Sequence, residues 1–222
     1  MTGNDLKSVF LAAAFVVPTF SLKGWKELQF NKIPKNTVTV IDKKLQIKVE
    51  ASASPLVYKL PEIIQTKSIE FTYNVVIKSN GGLISTPADK NSNTSSEKLI
   101  FPEDFVLRIG LVAKGEKILG WLQRQIAANW VLELFNLAPK NVGLDKIYFY
   151  NIATSSKLVG ISRQHPKSDL MMEEVVGSFP ENKKINHVLQ KSIDAVAIWI
   201  SVDGDDSKSS FITEIEELKL NP

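Results

Sequence analysis

The acidic stretch Asp203-Gly204-Asp205-Asp206-Ser207 carries the densest set of hard oxygen donors in the chain. Read as a calcium loop, it puts Asp203, Asp205 and Ser207 at the first, third and fifth ligand positions and Glu214 at the twelfth. An EF-hand needs oxygens at that spacing around the cation, with a glycine at the sixth position for the sharp turn. Lys208 stands there instead, and a strand rather than a helix precedes the loop. The EF-hand reading fails. What stays open is a looser calcium site on Asp203, Asp205 and Asp206, against a solvated turn joining two strands, because Asp and Gly are common turn formers.

A second candidate group combines Asp104, Arg108, Tyr148 and Tyr150. Asp104 and Arg108 fall four apart in an extended segment, on the face opposite Phe105, Leu107, Ile109 and Leu111. An arginine in mid-strand needs an anion or water and can anchor a carboxylate or sugar hydroxyls, with Gly110 beside it leaving room for a ligand. Tyr148 and Tyr150 share one strand face, where they can stack on a sugar ring or on cross-strand neighbours.

Other chemistry is excluded or left without support. The chain has no cysteine, which removes thiolate nucleophiles, disulfides and cysteine-based zinc sites. Its two histidines, His165 and His187, form no metal-ligand motif and read as surface residues. Glu103/Asp104, Glu173/Glu174 and Asp205/Asp206 are sequence neighbours. In a strand such neighbours point to opposite faces, so none designates the acid and nucleophile of a glycosidase. No nucleophile elbow, P-loop or dinucleotide fingerprint occurs. Twenty-seven basic against 24 acidic residues give a net charge of +3, spread along the chain. That excludes nucleic acid as the expected partner.

These side chains must be held by a mainly β scaffold. Leu45, Ile47 and Val49 alternate with Lys44, Gln46 and Lys48, and Ile69, Phe71, Tyr73, Val75 and Ile77 repeat the pattern. Strands with one dry and one wet face belong to antiparallel sheets. Further strands are expected at residues 38–41, 56–60, 105–113, 147–152, 158–161, 171–176 and 195–202, with a closing strand at 211–220. Residues 115–138 place apolar side chains at three- and four-residue spacings, which predicts one long amphipathic helix, with Trp121 and Trp130 in the core. Pro180 opens a predicted short helix carrying Ile185, Val188 and Leu189. Together these predict an antiparallel, jelly-roll-like β-sandwich with one long and one short helix.

At 222 residues the chain suits a single domain. Residues 9–20 form an apolar run of signal-peptide size, so residues 1–21 are expected to be a leader or an N-terminal apolar segment, and 22–222 the domain. No other stretch reaches transmembrane length. Residues 79–97 are small, polar and turn-forming, which predicts a mobile loop. A leader places the protein in the periplasm or outside the cell; an internal segment leaves it cytoplasmic.

The order of segments is similar to that of a family. Trp25, then Asp42-Lys43-Lys44-Leu45-Gln46-Ile47, then Asp104-Phe105-Val106-Leu107-Arg108-Ile109 resembles an uncharacterised family of exported bacterial β-rich proteins, known only as a domain of unknown function. Ile147-Tyr148-Phe149-Tyr150 resembles its aromatic strand, where tryptophan is usual at the position of Tyr150. Residues 195–206 resemble its closing strand and acidic turn. The resemblance implies an exported bacterial protein with a jelly-roll-like sandwich and supplies no activity. The reading that follows is a non-enzymatic module binding an extracytoplasmic ligand, a glycan by analogy of fold. The alternatives are an envelope structural or assembly component acting through a protein partner, and a glycan-directed hydrolase. No cofactor is expected beyond the calcium considered above.

Overall fold

The computed structural model describes residues 13–77 and 105–222. Asp104 and the loop expected at 79–97 lie outside the described residues. Eleven strands follow in chain order: β1 (Phe15–Val16), β2 (Trp25–Glu27), β3 (Thr37–Ile41), β4 (Lys44–Glu50), β5 (Leu56–Ile77), β6 (Leu107–Gly115), β7 (Gly143–Ala153), β8 (Ser162–Gln164), β9 (Met171–Ser178), β10 (Lys184–Ser201) and β11 (Ser210–Asn221). Two helices, α1 (Trp121–Ile126) and α2 (Asn129–Leu137), lie between β6 and β7. The protein is mainly β.

Where two antiparallel sheets were expected, one hydrogen-bonded sheet joins all eleven strands in the order β3-β4-β11-β5-β10-β6-β7-β9-β8, with β1 on β11 and β2 on β5. The sheet is mixed, because β7 and β9 pair in parallel while the other pairs are antiparallel. Two long strands form its middle. The segments expected at 56–60 and 69–77 are one strand, β5, carried past Pro61 by an irregularity: Lys59 pairs with Ala197 and Ile64 with Ala195, so residues 60–63 bulge opposite Val196. Proline cannot donate to a ladder, and a bulge is where a strand can hold one. Further along, residues 189–192 of β10 arch out opposite Lys67.

Each face of the sheet has its own core. One buries Leu45, Phe71, Ile109, Ile198 and Phe211 in a large cluster drawn from β4, β5, β6, β10 and β11. The Thr213 hydroxyl of β11 donates to the Val106 carbonyl beside β6 at 2.7 Å, linking strands that are not sheet neighbours. The opposite face buries Val112, Phe149 and Trp199 under Leu134 and Leu137 of α2.

The helical expectations are corrected. The single helix over 115–138 is two short ones. Strand pairing runs on to Gly115, and Lys117 still bridges Leu144, so β structure takes the first residues. Ala127 and Ala128 then adopt extended backbone between α1 and α2. Alanine favours helix, so here the seating of α2 on the sheet outweighs local propensity. The helix expected after Pro180 is instead a turn, with a cis Phe179–Pro180 peptide, leading into β10. Ile185, Leu189 and Ile193 are buried at spacings of four, which also places them on one face of a strand. Residues 158–161, expected as a strand, hold the end of a 3₁₀ turn, Ser156–Leu158, ahead of β8. The expected strand at 211–220 is β11.

Candidate ligand-binding cleft

Arg108 lies on β6 directly opposite Asn151 of β7 and Ser201 of β10. Its side chain points to the helix-covered face of the sheet, where alternation also directs Phe149, Glu173 and Asp203. That face is dry at this point, and Arg108 is only 7% exposed. A cation there requires anions, and it has two. Its Nη2 donates to Oε1 of Glu173, and its Nη1 donates to Oδ2 of Asp203 at 3.3 Å. The Nε of Arg163 donates to the other Glu173 oxygen at 2.8 Å. The Ser201 hydroxyl donates to Oδ1 of Asp203 at 2.8 Å. Two arginines and two carboxylates therefore neutralise one another, as buried charges must.

The guanidinium of Arg108 also stacks between rings, 4.6 Å from the Phe149 centroid and 5.3 Å from that of Phe105. Its Nε, although buried, has no hydrogen-bond partner, nor do the amide atoms of Asn151 beside it. This arginine forms part of the floor of an open cleft of about 330 Å³. Trp199, Phe149 and Trp130 give the cleft an aromatic lining, while Ser201, Asp203, Asp205 and Asp206 supply polar groups along one wall. His165, Lys167 and Ser168 line another part. The volume falls at the small end for ligand clefts, which are mostly apolar with a few placed polar groups.

The loop between β8 and β9 is tied by short-range bonds. The His165 backbone N–H donates to the Met171 carbonyl at 3.0 Å. The Lys167 N–H donates to the Nδ1 of His165 at 3.1 Å. An accepting Nδ1 requires the neutral ring to carry its proton on Nε2. Burial lowers the pKa of His165 below its ordinary value, and the charges of Arg108, Arg163 and Lys167 add to this against the opposing Glu173.

The sequence-derived candidates separate into two places. Arg108 and the turn holding Asp203, Asp205 and Asp206, considered separately in the sequence, line one cleft. Tyr148 and Tyr150 lie on the opposite face, in or against the large core. There they line a second concavity of about 250 Å³ with Glu174 and Lys191. The Lys191 ammonium sits 4.9 Å from the Tyr148 centroid, and the Tyr148 hydroxyl donates to Asp145 at 2.8 Å. Tyr150 stacks at 5.2 Å on His187, and burial pushes its pKa well above the usual phenol range. His187 is half-buried rather than on the surface, with its Nε2 3.4 Å from a Glu174 oxygen. The space beside Gly110 is filled: a Cβ there would come within 2.7 Å of Ile147 and 2.8 Å of Phe149.

Among the participants not read as site residues from the sequence are Glu173, Arg163, Phe149, Trp199 and Ser201. Trp130, read as core, packs against the core beneath α2 and also lines the cleft. The signal for Glu173 was present. An arginine in mid-strand needs a carboxylate, and of two adjacent glutamates in a strand one must point inward. Among the described residues no group of three or more His, Asp or Glu side chains is placed to hold a metal ion. Both oxygens of Asp203 are already engaged, by Arg108 and Ser201.

No protein-family model matches the chain, and no curated protein matches it in sequence. Among solved structures it is weakly similar to "Structure of PfGH50B", with 9% sequence identity and a TM-score of 0.34; the match covers 93% of this chain and 24% of that one. The chain thus spans about a quarter of that protein's length.

Proposed function

We propose that the cleft over Arg108 binds a neutral, hydroxyl-rich ligand, a glycan, without chemically altering it. One observation carries this reading. A cleft lined by Trp130, Phe149 and Trp199 lies over the buried Arg108, whose charge Glu173 and Asp203 already neutralise. The part-exposed Trp130, backed by the buried Phe149 and Trp199, offers the apolar contact that one side of a sugar ring needs, and the wall from Ser201 to Asp206 offers partners for hydroxyls. The balanced charges of Arg108, Arg163, Glu173 and Asp203 favour a neutral ligand over an ionic one. The same network supports binding without chemistry. Both oxygens of Glu173 are held by arginines, which suits a carboxylate that positions a neighbour rather than one that attacks or exchanges a proton.

The test is a thermal-shift and calorimetric screen of the purified chain against soluble glycans, with calcium and with chelator. A ligand at about 100 times its Kd adds about 2.7 kcal/mol. At this chain length that is a shift of roughly 5 to 11 °C. Trp130→Ala is expected to weaken binding at least tenfold and Tyr148→Ala to leave it unchanged, because the tyrosine lies on the other face. Calcium is expected to add nothing. Absence of a shift with every glycan class ends the reading. Release of shorter glycans during incubation replaces it with a hydrolase, and a calcium-dependent shift restores the metal site.

A further inference from the structure

Among the described residues, the largest concentration of exposed apolar side chains is on α1 and the turn before it. Ile118 is 63% exposed, Trp121 77%, Leu122 66% and Ile126 81%. No residue of α1 is buried, although the helix is half apolar. At about 100° per residue, Trp121, Leu122 and Ile126 fall within an arc of about 140°. They therefore project to one side, and nothing in the rest of the described chain covers them. An exposed apolar patch of this kind marks a surface for contact.

The charge beside it indicates what that is. Lys117, Arg124 and Lys140 converge on one concavity of about 450 Å³ that Ile118 also lines. No Asp or Glu lines it. The nearby acids are otherwise occupied or stand apart: Glu133 pairs with Lys26 at 2.5 Å, Asp145 accepts the Tyr148 hydroxyl, and Glu116 projects into solvent. Three cations lining a concavity that shares Ile118 with this apolar set match an anionic lipid surface. Tryptophan settles at the headgroup level, aliphatic residues reach the acyl boundary, and lysine and arginine meet phosphates. A second copy of the chain fits less well, since a two-fold contact would bring these cations against their own equivalents.

We infer that α1 and its preceding turn are a peripheral membrane contact, with Ile118, Trp121, Leu122 and Ile126 entering an anionic leaflet and Lys117, Arg124 and Lys140 binding lipid phosphates. No helix among the described residues is long and apolar enough to cross a membrane. The element is a wedge, not a span. It is independent of the glycan cleft and stands or falls separately.

The experiment is flotation of the full chain with vesicles of phosphatidylcholine alone or mixed three to one with phosphatidylglycerol, with tryptophan emission recorded in parallel. The chain is expected to float with the anionic vesicles, to shift its emission to the blue, and to be released by high salt. A basic residue at an anionic surface contributes about fivefold to partitioning. Joint Lys117→Gln, Arg124→Gln and Lys140→Gln substitution is therefore expected to lower it about a hundredfold. Trp121→Ser with Ile126→Ser should abolish the emission shift; both positions are exposed, and unchanged circular dichroism verifies the fold. No flotation with anionic vesicles overturns the inference, as does flotation unaffected by either set of substitutions. If the protein ignores vesicles but forms a dimer that the Trp121→Ser and Ile126→Ser pair disrupts, the surface belongs to a second copy.

Discussion

Arg108 and Asp203 are 95 positions apart in the chain, yet the Nη1 of one donates to the Oδ2 of the other at 3.3 Å. The sheet register explains the meeting. Ser201 is directly opposite Arg108, and Asp203, two residues on, follows it on the same face. The arginine thereby fastens the end of β10 and the acidic turn to the centre of the sheet. Glu173 fastens β9 to the same point.

Replacing Arg108 with alanine leaves Glu173 buried with one arginine instead of two and removes the guanidinium from Asp203. Breaking one side of a buried pair costs about 3–5 kcal/mol. Urea denaturation of Arg108→Ala should register a loss of that size. Arg108→Lys should recover only part of it, because an ammonium cannot reproduce the two-pronged geometry.

Gly110→Ala is a test of packing rather than of a ligand. The added methyl meets Phe149 and Ile147, both buried, below ordinary contact distance. Overpacking of this kind costs about 1–3 kcal/mol. If alanine is accepted without loss, the ring of Phe149 has room to move, and the floor of the cleft is softer than the packing implies.

The depressed pKa of His165 carries a definite sign. The folded state favours the neutral ring, so between its lowered folded pKa and the ordinary value of 6.5 the unfolded chain binds more protons. Stability therefore falls as pH drops below about 6.5, and above that value the group contributes no pH dependence. Protonation also removes the Nδ1 acceptor used by the Lys167 N–H. His165→Gln should flatten this part of the stability–pH curve relative to wild type, measured as the difference between paired denaturation series.

The apolar run at residues 9–20 contributes directly to the sheet where it is described. Phe15 and Val16 pair with Leu220 and Lys219, and Val17 is fully buried. The Thr19 hydroxyl donates to the Glu216 carbonyl at 3.0 Å. A chain beginning at Leu22 is expected to lose at least the burial of Val17, about 1.5–3 kcal/mol. A comparison of melting temperatures between that chain and the full one measures how much the domain depends on the segment.

The strands were legible in the sequence where one face was dry and the other wet, as in β4 and the second half of β5, because alternation reports burial directly. Interactions that span the sheet were less legible. Leu189 and Ile193 sit four apart, a spacing that helix and strand share, so periodicity could not separate them. The apolar pattern of α1 misled for a different reason: it counts side-chain types and cannot reveal that no described residue covers Trp121 and Leu122. Arg108 was visible as an anomaly because a charge in mid-strand needs an explanation. Its partner Glu173 was hidden by 65 residues of separation, and the opposed directions of Arg108 and Tyr150 depended on register. Register between strands follows from the whole sheet and cannot be read from either strand alone.

The position of β11 has a consequence for how the protein is made. The last of the described strands is inserted between β4 and β5, two of the earlier ones. Until residues 210–221 leave the ribosome, β4 and β5 have no partner on those edges, and each presents an unpaired row of N–H and C=O groups. The β3–β4 hairpin can therefore join β5 and the rest of the sheet only after residues 210–221 have emerged, and such long-range pairing makes folding slow. During that interval the nascent chain has two adhesive borders that the finished protein conceals, and an early stop codon would leave them open permanently.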